Sequence, residues 1–189
     1  SDRDERGIFL PPAEWHWGLE RVPEQVEFKV TLDGRVVPAS EFEKVGAIEG
    51  DDFTWWEIEK FLRLGLKANP TVLELLWVDE AHVLHADPLA RELREIRGAF
   101  LSKHLYHTYS GYVLSQFRKM RKRVERGEAF RPKHAMHLVR LLWSGISALR
   151  RGEIMVDASA HRDELLEIKR RPEAFERVHA RALELSALF

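Results

Sequence analysis

Two aspartates stand at alternate positions in the opening stretch Ser1-Asp2-Arg3-Asp4-Glu5-Arg6-Gly7-Ile8-Phe9-Leu10-Pro11-Pro12. If Asp2 to Leu10 is a strand, period-two alternation points Asp2 and Asp4 at one face, while Ile8, Phe9 and Leu10 run into a buried sheet. Two carboxylates aimed at one spot suit a hard divalent cation, which takes anionic oxygens together with substrate phosphates. Asp-x-Asp is also the sequence of a solvated loop, so the rest of the chain has to decide. A third carboxylate, Glu74, interrupts the apolar run Thr71 to Val78, which reads as a buried strand. Left unpaired there, it costs on the order of several kcal/mol. Glu74 therefore implies either an ion pair with an arginine or a third ligand beside Asp2 and Asp4.

Two further groups carry charge at helical spacing. His134, His137, Arg140 and Ser144 form a polar stripe on an otherwise apolar helix. With no further histidine or cysteine nearby, His134 and His137 do not make a zinc site. Arg118, Lys119, Arg121, Lys122, Arg123 and Arg126 crowd the end of the preceding helix. They read either as a solvated face or as a strip for an RNA backbone. Trp15 and Trp17 fit packing against a sheet better than stacking on a base.

The elements that must position these residues follow from periodicity. Val26, Phe28, Val30 and Leu32 alternate with Glu27, Lys29 and Thr31, the pattern of a half-buried strand, and Asp33-Gly34 turns it into Arg35-Val36-Val37. Thr54 to Glu57 fits a capping box opening an amphipathic helix that ends at Asn69-Pro70. The strand Thr71 to Val78 follows. From Asp87-Pro88 onward only helices are expected: one through Leu89 to Phe100, then Ser102 to Arg126, Lys133 to Arg151, Asp163 to Arg170 and Glu173 to Leu188. A boundary near His82 to Asp87 gives a catalytic core over 1–86 and a helical domain over 87–189.

Composition narrows the class. The chain has 189 residues, 44% apolar and 32% charged, enough to bury a core without staples. Having no cysteine, it lacks disulfides, thiolate metal sites and cysteine nucleophiles. No apolar run reaches membrane-spanning length and no signal segment precedes the first strand, so the chain reads as soluble, with no membrane partner and a cytoplasmic location. With 30 basic against 31 acidic residues, any nucleic-acid contact must rest on local patches. Opening on Ser-Asp-Arg-Asp without methionine suggests that upstream residues are absent.

Three blocks, in order, carry a resemblance. They are Ser1-Asp2-Arg3-Asp4 through Gly7 to Pro12, Lys60-Phe61 through Ala68-Asn69-Pro70-Thr71-Val72-Leu73-Glu74-Leu75-Leu76, and Lys133-His134-Ala135-Met136-His137-Leu138-Val139-Arg140-Leu141-Leu142. Together the chain resembles the nucleotidyltransferases of the DNA polymerase β superfamily, in the RNA-repair-associated group. The resemblance implies an α+β fold, a mixed-sheet core followed by an all-helical domain. It also implies metal-dependent transfer of a nucleoside monophosphate from a nucleoside triphosphate to a hydroxyl, with an RNA end as acceptor. Asp2 and Asp4 match the family's metal-binding pair, and Glu74 stands by position as the third carboxylate, all three catalytic. Two Mg²⁺ (or Mn²⁺) ions about 3.5–4 Å apart suit such a displacement. The resemblance further implies Ser1, Lys133, His134, His137 and Arg140 as nucleotide-binding, and RNA-repair proteins as partners. The Gly-Ser pair that precedes the aspartates in the superfamily does not stand in this sequence. Transfer to a small molecule or a protein side chain, or a non-catalytic RNA-binding module, are the alternatives.

Overall fold

A computed structural model describes residues 3–19, 21–31, 33–41, 50–170 and 175–188. The fold is α+β, and the chain divides into two compact units, Ser1–Gly65 and Leu66–Phe189. This division falls inside a helix, earlier in the chain than the expected boundary near residues 82–87.

The first unit holds a four-stranded mixed sheet, built from β1 (Asp4–Phe9), β2 (Gln25–Thr31), β3 (Val36–Pro38) and β4 (Gly50–Glu57), in the order β1-β4-β2-β3. A one-turn helix α1 (Ala13–Trp17) follows β1, with Trp15 and Trp17 both exposed. β2 and β3 form the expected hairpin, turning through Gly34, whose φ of 84° suits a residue without Cβ. β4 stands where the capping-box pattern of Thr54 to Glu57 predicts the start of a helix. Thr54, Trp55 and Trp56 lie in the sheet, and α2 (Ile58–Leu66) begins only after Glu57. The cap is Glu57 itself, whose Oε2 accepts from the amide of Lys60 at 3.0 Å. Trp56 then meets Phe61 of α2 across 6.5 Å between ring centroids, and both are buried.

The second unit is helical throughout its described residues: α3 (Pro70–Leu76), α4 (Pro88–Glu95), α5 (His104–Glu125), α6 (Pro132–Arg151), α7 (Arg162–Arg170) and α8 (Phe175–Ser186). The expected strand Thr71 to Val78 is α3 instead. Asn69 caps it, accepting from the amides of Thr71 and Val72 at 3.1 and 3.3 Å, and Pro70 sits where its missing N–H costs nothing. Its apolar residues pack at helical spacing, with Val72, Leu73 and Leu76 buried. α6 forms the centre of the unit and packs against α5, α7 and α8. Val139, Leu142, Tyr109, Phe117 and Leu185 are among the side chains buried there.

Candidate active site

The sheet sets a row of charges across three strands. β1 runs parallel to β4 with Asp4 opposite Asp52, and β4 runs antiparallel to β2 with Asp52 opposite Lys29. Residues directly opposite share a face, so Asp4, Asp52 and Lys29 stand side by side. The next row on that face holds Arg6, Thr54 and Glu27. Lys29 Nζ lies 2.7 Å from Asp52 Oδ1, and the Arg6 guanidinium grips both oxygens of Asp4 at 2.8 and 3.3 Å. Each cation offsets the repulsion that two neighbouring carboxylates would otherwise create. Both carboxylates stay open to solvent, with the Asp4 side chain 57% exposed and Asp52 46%.

The start of β1 is fastened by backbone. Asp52 N donates to Arg3 O at 2.7 Å, and Arg3 N donates to Asp51 Oδ1 at 2.9 Å. Asp51 thus spends its carboxylate on the strand junction, on the face opposite Asp52. Asp2 and Ser1 lie outside the described residues. Among the described residues no cluster of three metal-ligating side chains occurs.

Glu74 does not lie on a strand. It sits on α3 in the second unit, and Arg140 Nη2 of α6 is 2.9 Å from its Oε1. The arginine partner is thus the alternative that the structure provides for this carboxylate. Tyr109 is fully buried next to the pair. Burial, with the Glu74 charge adding to it, pushes its hydroxyl well above the ordinary tyrosine value, against the opposing pull of Arg140 and Ser144. Arg140 is therefore committed to Glu74, whereas Lys133, His134 and His137 are exposed on the first turns of α6.

The basic cluster of α5 divides in the same way. Arg121 reaches Glu176 at 3.5 Å and His179 Nδ1 at 2.8 Å, both on α8. Burial, then the Arg121 charge, hold His179 below the ordinary histidine value, which leaves Nδ1 free to accept. Arg123 pairs with Glu128 at 2.6 Å, and Arg118 turns back to Leu114 O of its own helix. Lys119, Lys122 and Arg126 remain exposed with no ion pair among the described residues.

Asp52 is not among the site residues expected from the sequence. Its signal was present in Asp52-Phe53-Thr54-Trp55-Trp56, a polar-apolar alternation that the capping-box interpretation of Thr54 hid.

A four-stranded mixed sheet in a chain otherwise mostly of helices is compatible with a polymerase-beta-like fold. The chain belongs to the RNA repair pathway DNA polymerase beta family, RlaP, which it matches over residues 1–188. It is 30% identical over 111 residues to an uncharacterised protein of Methanocaldococcus jannaschii, covering 59% of this chain and 43% of that one. It is also 30% identical over 97 residues to the uncharacterised protein YcgL of Bacillus subtilis, covering 51% of this chain and 30% of that one. The chain thus spans less than half the length of these curated relatives. No solved structure matches it. Among the described residues no helix is long and apolar enough to cross a membrane.

Proposed function

We propose that this chain is a metal-dependent nucleotidyltransferase that moves a nucleoside monophosphate from a nucleoside triphosphate to the hydroxyl of an RNA end. The observation that carries the reading is the register of Asp4 with Asp52 on parallel neighbouring strands. Both present hard oxygen donors to solvent, the chemistry that Mg²⁺ or Mn²⁺ selects. Asp4 and Asp52, with Asp2 two residues upstream, are the groups that would hold the ion. Bound there, it would supply charge neutralisation for the triphosphate. Arg6 and Lys29 offset the mutual repulsion of the two carboxylates that would hold the ion. Membership in an RNA repair family supports RNA as the acceptor and RNA-repair proteins as partners.

The test is transfer of labelled nucleotide to RNA by the protein with Mg²⁺. Asp4→Asn and Asp52→Asn should each lower the rate about a hundredfold or more, since a lost metal ligand removes several kcal/mol of charge stabilisation. Asp51→Asn, on the other face, should keep the rate within a few-fold. Equal losses at Asp51 and Asp52 would sink the assignment. RNA binding without transfer under any condition would favour a non-catalytic binding module.

A further inference from the structure

The carboxyl end of α6 borders a cavity of about 250 Å³ in the second unit. Part of its lining is apolar, with Ile146 of α6 and Met155 of the segment after it both buried. Part is aromatic. Trp143 of α6 and His161, the last residue of a short turn Ser159–His161, stack with ring centroids 3.9 Å apart and planes 15° apart. The indole is held at its edge, where Nε1 donates to Glu164 Oε2 at 2.9 Å, and Glu164 accepts in turn from Arg181 Nε at 2.6 Å. Both rings therefore stand ready before any ligand arrives.

Arg150 and Arg151 add two cations to this lining. Arg151 is anchored: its Nε and Nη2 donate to Ser147 Oγ at 3.3 and 2.9 Å, and that buried hydroxyl donates to Glu153 O at 2.7 Å. These bonds use one edge of the guanidinium and leave Nη1 for a ligand. Arg150 Nη2 reaches Leu188 O at 3.5 Å, a long contact. Neither arginine has an ion pair among the described residues. Cations at the carboxyl end of a helix complement its dipole. The dipole accounts for their sign, but not for a guanidinium fastened to a buried hydroxyl beside an aromatic stack. Another cavity of the same unit, about 340 Å³ along α7, supplies a contrast, since Arg162 and Arg170 line it together with Asp163 and Glu167. There the charges balance, whereas among the described residues no carboxylate lines the cavity at the end of α6.

We infer that this cavity binds a nucleotide that carries a phosphate monoester, with the phosphate on Arg150 and Arg151 and the base against Trp143 and His161. A monoester brings up to two negative charges, the number that two arginines match, and guanidinium groups recognise phosphate by paired hydrogen bonds. Aromatic rings accept any base, because every base has a π face, and Met155 adapts to the shape of what lies on it. Ligand sites usually enclose about 300–1,000 Å³, so a cavity of this size takes one nucleotide and no more. Two sources share this chemistry, a free nucleoside monophosphate and the phosphorylated end of an RNA strand. Binding here needs neither metal nor Asp4 and Asp52, and the inference stands apart from the nucleotidyl-transfer reading.

The experiment is calorimetric titration of the full chain with adenosine 5′-monophosphate, and with RNA oligomers bearing a 5′- or a 3′-phosphate, in the presence of a chelator. Saturable binding of at least one of them is expected, and the tighter of nucleotide and oligomer identifies the source. Arg150→Ala with Arg151→Ala should weaken that binding about tenfold or more. His161→Ala should weaken it about fivefold or more. Circular dichroism should show both variants folded, since the three side chains replaced are not buried. Arg162→Ala with Arg170→Ala, which removes the same charge from the balanced cavity, should leave affinity within twofold, as should Asp4→Asn and Asp52→Asn. Removing the phosphate from the better ligand, to give adenosine or an oligomer with hydroxyl ends, should weaken it about tenfold or more. Failure of all three ligands to bind, binding indifferent to Arg150 and Arg151, an equal loss at Arg162 and Arg170, or equal affinity without the phosphate would each overturn the proposal. Nucleotidyl transfer that persists when Arg150 and Arg151 are replaced leaves the catalytic reading intact whichever way this test falls.

Discussion

Replacing Arg140 by methionine tests what Glu74 is for. The Glu74 side chain is 16% exposed and that of Arg140 28%, with their charged atoms 2.9 Å apart. Removing one partner of a fully buried pair costs about 3–5 kcal/mol, and removing one from an exposed pair about 0–1. Exposure between these limits places Arg140→Met at about 2–3 kcal/mol, because it leaves the less exposed carboxylate facing the buried Tyr109. Glu74→Gln should be milder, about 1–2 kcal/mol, since the orphaned guanidinium still reaches water. The double variant should cost less than the sum by about 1–2 kcal/mol. For a chain of this length the Arg140→Met penalty corresponds to a melting temperature lower by about 4–12 °C. Urea unfolding followed by far-ultraviolet circular dichroism reads it directly, since the helical content of the second unit dominates that signal. A cost below about 0.5 kcal/mol for Arg140→Met, or strict additivity of the two substitutions, would refute the ion pair. Loss of nucleotidyl transfer in Glu74→Gln at unchanged stability would return Glu74 to the metal site that the sequence suggested.

Two other expectations follow from the same geometry. A Cβ at Gly7 would stand 3.0 Å from Trp55 Cδ1 and 3.2 Å from Nε1, so Gly7→Val should cost about 1–3 kcal/mol in urea unfolding followed by tryptophan fluorescence. In a Trp55→Ala background most of that cost should vanish, and an undiminished cost would show that the indole is not what excludes a side chain there. On α5, reversing Lys119, Lys122 and Arg126 to glutamate should weaken RNA binding and reduce the slope of log affinity against log salt by about 2, at about 0.7 per single-strand phosphate contact. An unchanged slope would remove these residues from the RNA interface. Arg121 and Arg123 are the wrong residues for that experiment, since their pairs with Glu176, His179 and Glu128 would confound binding with stability.

How far the sequence could be read depended on whether a signal was local. The β2–β3 hairpin and the helices from Asp87 on were legible because alternation, Asp-Gly, Asp-Pro and terminal glycines act within a few residues. Asn69-Pro70 shows the limit of such signals, for asparagine before proline can close one helix or cap the next. Here it caps α3, through the bonds from Thr71 and Val72, and the apolar run that looked like a central strand became a helix. Thr54 failed in a parallel way. A threonine three residues before a glutamate matches a capping box, but β-branched and aromatic residues also favour strands, and pairing with β1 and β2 decided the outcome. A carboxylate in an apolar run needs a partner whether the run is a strand or a helix, and on α3 Glu74 has Arg140.

The row Asp4, Asp52 and Lys29 was illegible for a deeper reason. Asp4 and Asp52 are far apart in the chain and become neighbours only through the parallel register of β1 on β4, which no local pattern encodes. A one-residue slip in that register would bring Asp51 instead of Asp52 opposite Asp4 and turn Asp52 to the other face of the sheet. The bonds of Arg3 to Asp51 and Asp52 oppose such a slip at the point where it would matter. The Asp51-Asp52 pair thus has two separate tasks. One carboxylate helps to hold the register, and the register delivers the other to Asp4.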